Sequence, residues 1–150
     1  MIRLATEEDI FDLLVLTKNF MKEAGGFFRF SKDKVETFLK TSLGNSDSVV
    51  IVAEHDGQVV GMLIGLVTEH PFIKTRIATE VGFYVSPEHR GGRKALRLAK
   101  AFEEWAASKG AEDLVLGDVK TIKDLSGFYA KLGYSPTEGL YVKDLTHGRA

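Results

Sequence analysis

Val85-Ser86-Pro87-Glu88-His89-Arg90-Gly91-Gly92-Arg93-Lys94-Ala95 joins a β-rich run to a helical one through a glycine pair set in positive charge. Upstream, Ile77 to Val85 alternates small or polar with apolar residues, the period of a strand, and halts at Ser86-Pro87. Downstream, Ala95, Leu98, Ala99, Phe102 and Trp105 or Ala106 recur at helical spacing as far as Lys109-Gly110. The first backbone N–H groups of a helix have no intrahelical partner and carry the positive end of its dipole, so they form an anion site. Glycine lets that backbone approach a diphosphate closely. Arg90, Arg93 and Lys94 add side-chain charge at the same place, and Glu103 and Glu104 restore balance further along. Neither Gly-x-x-x-x-Gly-Lys-Ser/Thr nor Gly-x-Gly-x-x-Gly occurs, so P-loop and dinucleotide readings lack their signature. The residues alone leave two readings open: a solvated helix start, or a cradle for another anionic cofactor.

Working outward, Val49 to His55 and Gln58 through Val67 flank Asp56-Gly57, a two-residue hairpin signal because both central residues of a type I′ turn need positive φ. Before the hairpin, Ile2-Arg3-Leu4 predicts a short strand, and Thr6-Glu7-Glu8-Asp9 matches a capping box that opens a helix. Ile10, Leu13, Leu14, Thr17 and Met21 line that helix, and Gly25-Gly26 end it. Ser31 caps a second helix with Val35, Phe38, Leu39 and Leu43 on one face and Gly44-Asn45 as its stop. Beyond the central loop and its helix, Asp113 to Gly117 reads as a short buried strand, Leu125 to Leu132 as a helix closed by Gly133, and Tyr134 to Leu145 as a pair of strands. The predicted order is β-α-α-β-β-β-α-β-α-β(-β). It describes an α/β domain over residues 1–145 with a mixed, mostly antiparallel sheet and a helical crossover, followed by a short tail at 146–150.

The chain has 150 residues, 44% of them hydrophobic and 27% charged, an ordinary globular composition for one domain. Twenty basic residues against 21 acidic ones argue against the broad cationic footprint of a nucleic-acid binder, although Arg90, Arg93, Lys94, Arg97 and Lys100 make a local stripe. There is no cysteine, which excludes disulfides, thiolate metal sites and a cysteine acyl-enzyme. The four histidines, His55, His70, His89 and His147, share no metal-ligand spacing, so no metal is expected. No apolar run approaches the ~20 residues of a membrane span, and a cytoplasmic protein with no membrane partner is the expectation.

The central loop with its strand and helix resembles the coenzyme A pyrophosphate motif of the GCN5-related N-acetyltransferase (GNAT) superfamily, Arg/Gln-x-x-Gly-x-Gly/Ala. Arg90 and Ala95 fall on its first and last positions, while the fourth holds Arg93 instead of glycine and Gly92 sits one residue early. Downstream, Gly127-Phe128-Tyr129-Ala130-Lys131-Leu132-Gly133-Tyr134 resembles the family's Phe-Tyr-x-Lys-Leu-Gly-Phe segment, with Ile122 where an asparagine often stands. The resemblance spans roughly residues 2 to 145. It implies acetyl-coenzyme A as cosubstrate, held by Arg90, Gly91, Gly92, Arg93, Lys94 and Ala95, and direct transfer of acetyl to the primary amine of a small molecule or peptide. It also implies that two parallel strands splay apart, exposing backbone at Phe83, Tyr84 or Val85 to the pantetheine arm. Dimerisation is common in the family.

An alkyl ammonium with a pKa near ~10 must lose a proton before it attacks, so a base near the acceptor is needed. The resemblance places that base at Glu80; read from the residues alone, Glu80 serves equally as an ion-pair partner for a neighbouring strand. The resemblance also makes Tyr129 the proton donor to the departing thiolate, where the residue alone reads as a core tyrosine. Phe27, Phe28 and Arg29, in the segment between the first two helices, are the candidate acceptor contacts; filling a gap under a loop is the other reading of the phenylalanines. The competing reading for the whole chain is a non-catalytic coenzyme A-binding module of the same fold.

Overall fold

The computed structural model describes residues 1–146; of the tail expected at 146–150, residues 147–150, His147 among them, lie outside the described residues. Their arrangement divides into two units, 1–117 and the remainder from Asp118. The first unit is built on a five-stranded sheet whose spatial order equals its chain order. Strand β1 (Ile2–Leu4) is followed by helices α1 (Ile10–Ala24) and α2 (Lys32–Leu43), then by β2 (Ser48–His55), β3 (Gln58–Glu69) and β4 (Arg76–Val85). Helix α3 (Lys94–Ser108) crosses over to β5 (Ala111–Val115), which pairs parallel to β4, whereas every other pair in the sheet is antiparallel.

Local chemistry explains these elements. The Asp9 carboxylate accepts from the Thr6 N–H at 2.8 Å and closes a turn of 3-10 helix ahead of α1, as the capping box predicts. The Ser31 hydroxyl accepts from the Lys34 N–H at 3.3 Å at the start of α2. Asp56 and Gly57 take φ of 51° and 79°, the two positive values that a type I′ turn requires, and His55 pairs with Gln58 across it.

The sheet separates two apolar layers. Leu13, Leu16 and Leu39 of α1 and α2 pack with Val50, Val52, Met62 and Ile64 on one face; Leu98, Phe102 and Ala106 of α3 pack with Val49, Ile51, Leu63 and Ala78 on the other. Gly61 and Gly65 of β3 bring α3 close. A Cβ on Gly61 would stand 3.3 Å from a Leu98 methyl, and one on Gly65 would strike the Phe102 ring. These glycines seat the helix whose first turn meets the central loop.

The second unit contains α4 (Ser126–Lys131), closed by Gly133 at φ 90°, with Asp118 accepting from the Leu125 N–H at 2.8 Å. The strands expected over Tyr134 to Leu145 are not formed. The described residues there pair with no ladder, and Leu140, Tyr141 and Val142 are 92%, 97% and 81% exposed. Alternating apolar residues make a strand only where another edge satisfies their backbone groups and a layer covers one face.

Candidate functional site

The site begins with a fault in the β3–β4 ladder. Ile64 pairs with Gly82 and Gly65 with Glu80, so two consecutive residues of β3 skip Val81, which stands as a β-bulge. The bulge exchanges the faces of β4. Tyr84 belongs to the α1 layer and Ala78 to the α3 layer, although the two share the same parity in the chain. Glu80, opposite Gly65, is therefore aimed to the α3 side, where the Gly117 N–H donates to its Oε1 at 3.1 Å. Burial pushes the Glu80 carboxyl up to about 6, against the lowering effect of the Gly117 hydrogen bond. It is a half-buried carboxyl poised to exchange a proton near neutral pH.

The parallel β4–β5 ladder ends at Thr79 and Val115, just before Glu80. Beyond that pair, β4 runs on to Val85 with no ladder partner on this edge among the described residues. The Ser86 N–H donates to Val60 O at 2.9 Å, towards β3, so strand alternation turns the amides of Phe83 and Val85 to the open edge and that of Tyr84 to β3. Of the three backbone positions expected to meet a ligand, two face the splayed edge. Tyr84 instead lies buried on the α1 side, its ring 5.5 Å from that of Phe20.

From Val85 the chain passes through a 3-10 turn, Pro87–His89, to Gly91, whose φ of 86° only glycine adopts at low cost. Added Cβ atoms at Gly91 and Gly92 would meet nothing within 4 Å, so this backbone is open to an approaching group. Arg93 is the N-cap of α3, and its carbonyl accepts the Arg97 N–H at 2.9 Å, which leaves the amides of Lys94 and Ala95 in the orphan first turn. The Arg93 and Lys94 side chains make no hydrogen bond or ion pair among the described residues. Open glycine backbone, free helix amides and two unpaired cations fit a diphosphate.

Arg90 is arranged otherwise. Its Nε donates to Val85 O at 2.7 Å, its guanidinium pairs with Glu23 Oε2 at 2.7 Å, and its Cζ lies 5.2 Å from the Tyr84 ring centroid. Glu23, near the end of α1, carries no sequence signal for this pairing.

Phe27 and Arg29 lie in a 3-10 turn between α1 and α2, and Phe28 lies in the same turn. Phe27 borders a groove with Phe11, Val15 and Lys18, and the Lys18 ammonium sits 5.7 Å from its ring centroid. None of Glu80, Phe83, Arg93 and Lys94 lines that groove. Tyr129, in the second unit, is buried in α4 between the rings of Phe128 and Tyr134, at 5.5 and 5.6 Å. No group of three or more metal-ligating side chains occurs among the described residues, and no helix is long and apolar enough to cross a membrane.

Comparison with known proteins places the chain in a family and matches its fold. Residues 8–134 match the model of the Acetyltransferase (GNAT) family. An uncharacterised N-acetyltransferase of Bacillus subtilis (strain 168), YhfO, is 29% identical over 115 residues, which cover 75% of this chain and 77% of that protein. A predicted acetyltransferase from Clostridium acetobutylicum, solved with acetyl-CoA, superposes with a TM-score of 0.79 at 19% identity, covering 99% of both chains. A ribosomal-protein-alanine N-acetyltransferase from Brucella melitensis biovar Abortus 2308 gives 0.74 at 20% identity, covering 97% of this chain and 99% of that one. At these identities the two structures speak to the fold.

Proposed function

The chain belongs to the acetyltransferase (GNAT) family, and from that premise we propose that it uses acetyl-coenzyme A to acetylate a primary amine directly, with Glu80 as base and Tyr129 as proton donor. The observation that carries the reading is the continuity of the site in the first unit. A carboxyl of raised pKa, an open strand edge and an anion cradle follow one another along residues 80–95.

When bound, acetyl-coenzyme A supplies an activated acetyl thioester. Arg93, Lys94 and the α3 amides hold its diphosphate. The Phe83 and Val85 amides pair with its amide-bearing arm along the open edge, as an added strand would. Glu80, ionised above its pKa of about 6, takes a proton from the acceptor ammonium directly or through one water. Tyr129 holds a proton for the departing sulfur, a role that rests on the Phe128-Tyr129 motif. Phe27, Phe28 and Arg29 contact the acceptor in this reading, which also places the enzyme in the cytoplasm.

The test is a panel of primary amines incubated with acetyl-coenzyme A, with free thiol measured as product. The chain has no cysteine, so a thiol reagent reads only released coenzyme. Turnover that depends on amine and falls about a hundredfold or more in Tyr129→Phe supports the reading. Tight coenzyme binding with no turnover on any amine would leave the non-catalytic binding module.

A further inference from the structure

The arginine that opens the coenzyme motif is engaged within the protein. Its guanidinium is held on three sides: by the Val85 carbonyl at the end of β4, by Glu23 near the end of α1, and by the Tyr84 ring. The two ion-pair partners are each about one-third exposed, at 32% and 30%. The charge-assisted bond is short, at 2.7 Å, and with the Val85 carbonyl and the Tyr84 ring it gives the guanidinium three separate contacts. Arg93 and Lys94, by contrast, have cationic ends without a partner among the described residues, beside the glycine backbone.

The consequence falls on Gly91 and Gly92. These residues carry no side chain and touch nothing through a Cβ, so nothing of their own holds the turn in shape. Gly91 nevertheless keeps a φ of 86°. The fixed points on either side are α3 and the Arg90 side chain, tied to α1 through Glu23. We propose that Glu23 is a positioning residue for the anion loop. It anchors Arg90, which holds the glycine turn so that the free amides and the Arg93 and Lys94 charges converge on the diphosphate. The inference rests on the coenzyme reading above and adds to it a residue on a different element, outside both motifs.

This account and plain electrostatics predict opposite signs. Glu23 is a negative charge beside an anion site, so neutralising it should tighten anion binding if charge alone matters. If Glu23 positions the loop, neutralising it loosens the turn and weakens binding. The experiment is a calorimetric titration of coenzyme A into the full chain and its Glu23→Gln, Arg90→Gln and Arg93→Gln/Lys94→Gln variants, at two salt concentrations, with thermal unfolding as a check of folding.

Glu23→Gln is expected to weaken coenzyme A by about tenfold, the scale of one charge-assisted hydrogen bond. Arg90→Gln should do the same, and a combined Glu23→Gln/Arg90→Gln variant should be no worse than either single one. In these variants the salt dependence of binding should stay as in the parent, because the charges that meet phosphate are intact; Arg93→Gln/Lys94→Gln should flatten it. Unchanged or tighter binding by Glu23→Gln overturns the proposal, as does an Arg90→Gln variant whose salt dependence flattens like that of Arg93→Gln/Lys94→Gln. If Glu23→Gln fails to fold, Glu23→Asp, which keeps the charge but withdraws it by one methylene, is read for the same weakening. A parent chain that does not bind coenzyme A contradicts the coenzyme reading itself, whereas a binding parent with an indifferent Glu23→Gln contradicts only the positioning role.

Discussion

The Gly117 amide donates to Glu80 Oε1 at 3.1 Å across the point where β4 and β5 part. This bond lies at the mouth of the splayed edge. It holds a half-buried carboxylate beside the strand edge assigned to the cosubstrate, and it needs the bulge at Val81, which brings Glu80 to that side of the sheet.

The first prediction concerns Glu80 as a base. Its pKa of about 6 makes the ionised form dominant above that pH, so kcat/KM should fall as pH drops through about 6. Glu80→Gln should lose this acid limb and slow turnover by about a hundredfold. An unchanged limb in the variant assigns the titration to another group.

The same group carries a stability signature of defined sign. Its folded pKa of about 6 lies above the ordinary 4.5, so the protonated form is favoured by folding, and stability is lost as pH rises from 4.5 through 6. Glu80→Gln keeps an acceptor for Gly117 and removes the buried charge. It should therefore raise unfolding free energy by about 2 kcal/mol at pH 8 and by nothing measurable at pH 4, read by denaturant titration.

Gly65→Ala tests how α3 is seated. The added methyl would collide with the Phe102 ring and stand 3.1 Å from the Thr79 carbonyl oxygen. A loss of about 2 kcal/mol is expected, because neither the ring nor the backbone can withdraw without disturbing the layer under β3 and β4. A melting temperature equal to the parent's would contradict this packing.

Far from the site, Asp9 tests the frame. Arg3 meets both of its oxygens, at 2.8 and 2.9 Å, and reaches Glu54 at 2.9 Å. The Arg3 hydrogen bonds hold the Asp9 carboxyl below its ordinary value, so the stability it contributes is present above the unfolded carboxylate pKa and lost as pH falls through the folded one. Asp9→Asn should cost about 2 kcal/mol at pH 7, and its difference from the parent should shrink as pH falls through the folded Asp9 value.

What could be read from sequence was what is local. The Asp56-Gly57 hairpin, the capped helices and the loop from Val85 to Ala95 each depend on neighbours a few residues apart, and the structure places them as expected. The Val81 bulge is a property of register between two strands, and no residue in Thr79 to Phe83 announces it. The Glu23–Arg90 pair joins residues 67 apart, so its only sequence trace is two opposite charges among many. Tyr134 to Leu145 shows the reverse error: a strand-like pattern is visible, but strand formation requires a partner edge that a single segment does not encode.

The central claim is that the loop from Arg90 to Ala95 binds acetyl-coenzyme A, and thermal unfolding with and without that cosubstrate tests it most directly. A ligand that binds only the folded state stabilises it by roughly 2.7 kcal/mol at a hundredfold excess over its dissociation constant. A clear upward shift in the parent chain, abolished in Arg93→Glu/Lys94→Glu, is the predicted result. No shift at millimolar acetyl-coenzyme A, or an equal shift in parent and variant, would contradict it.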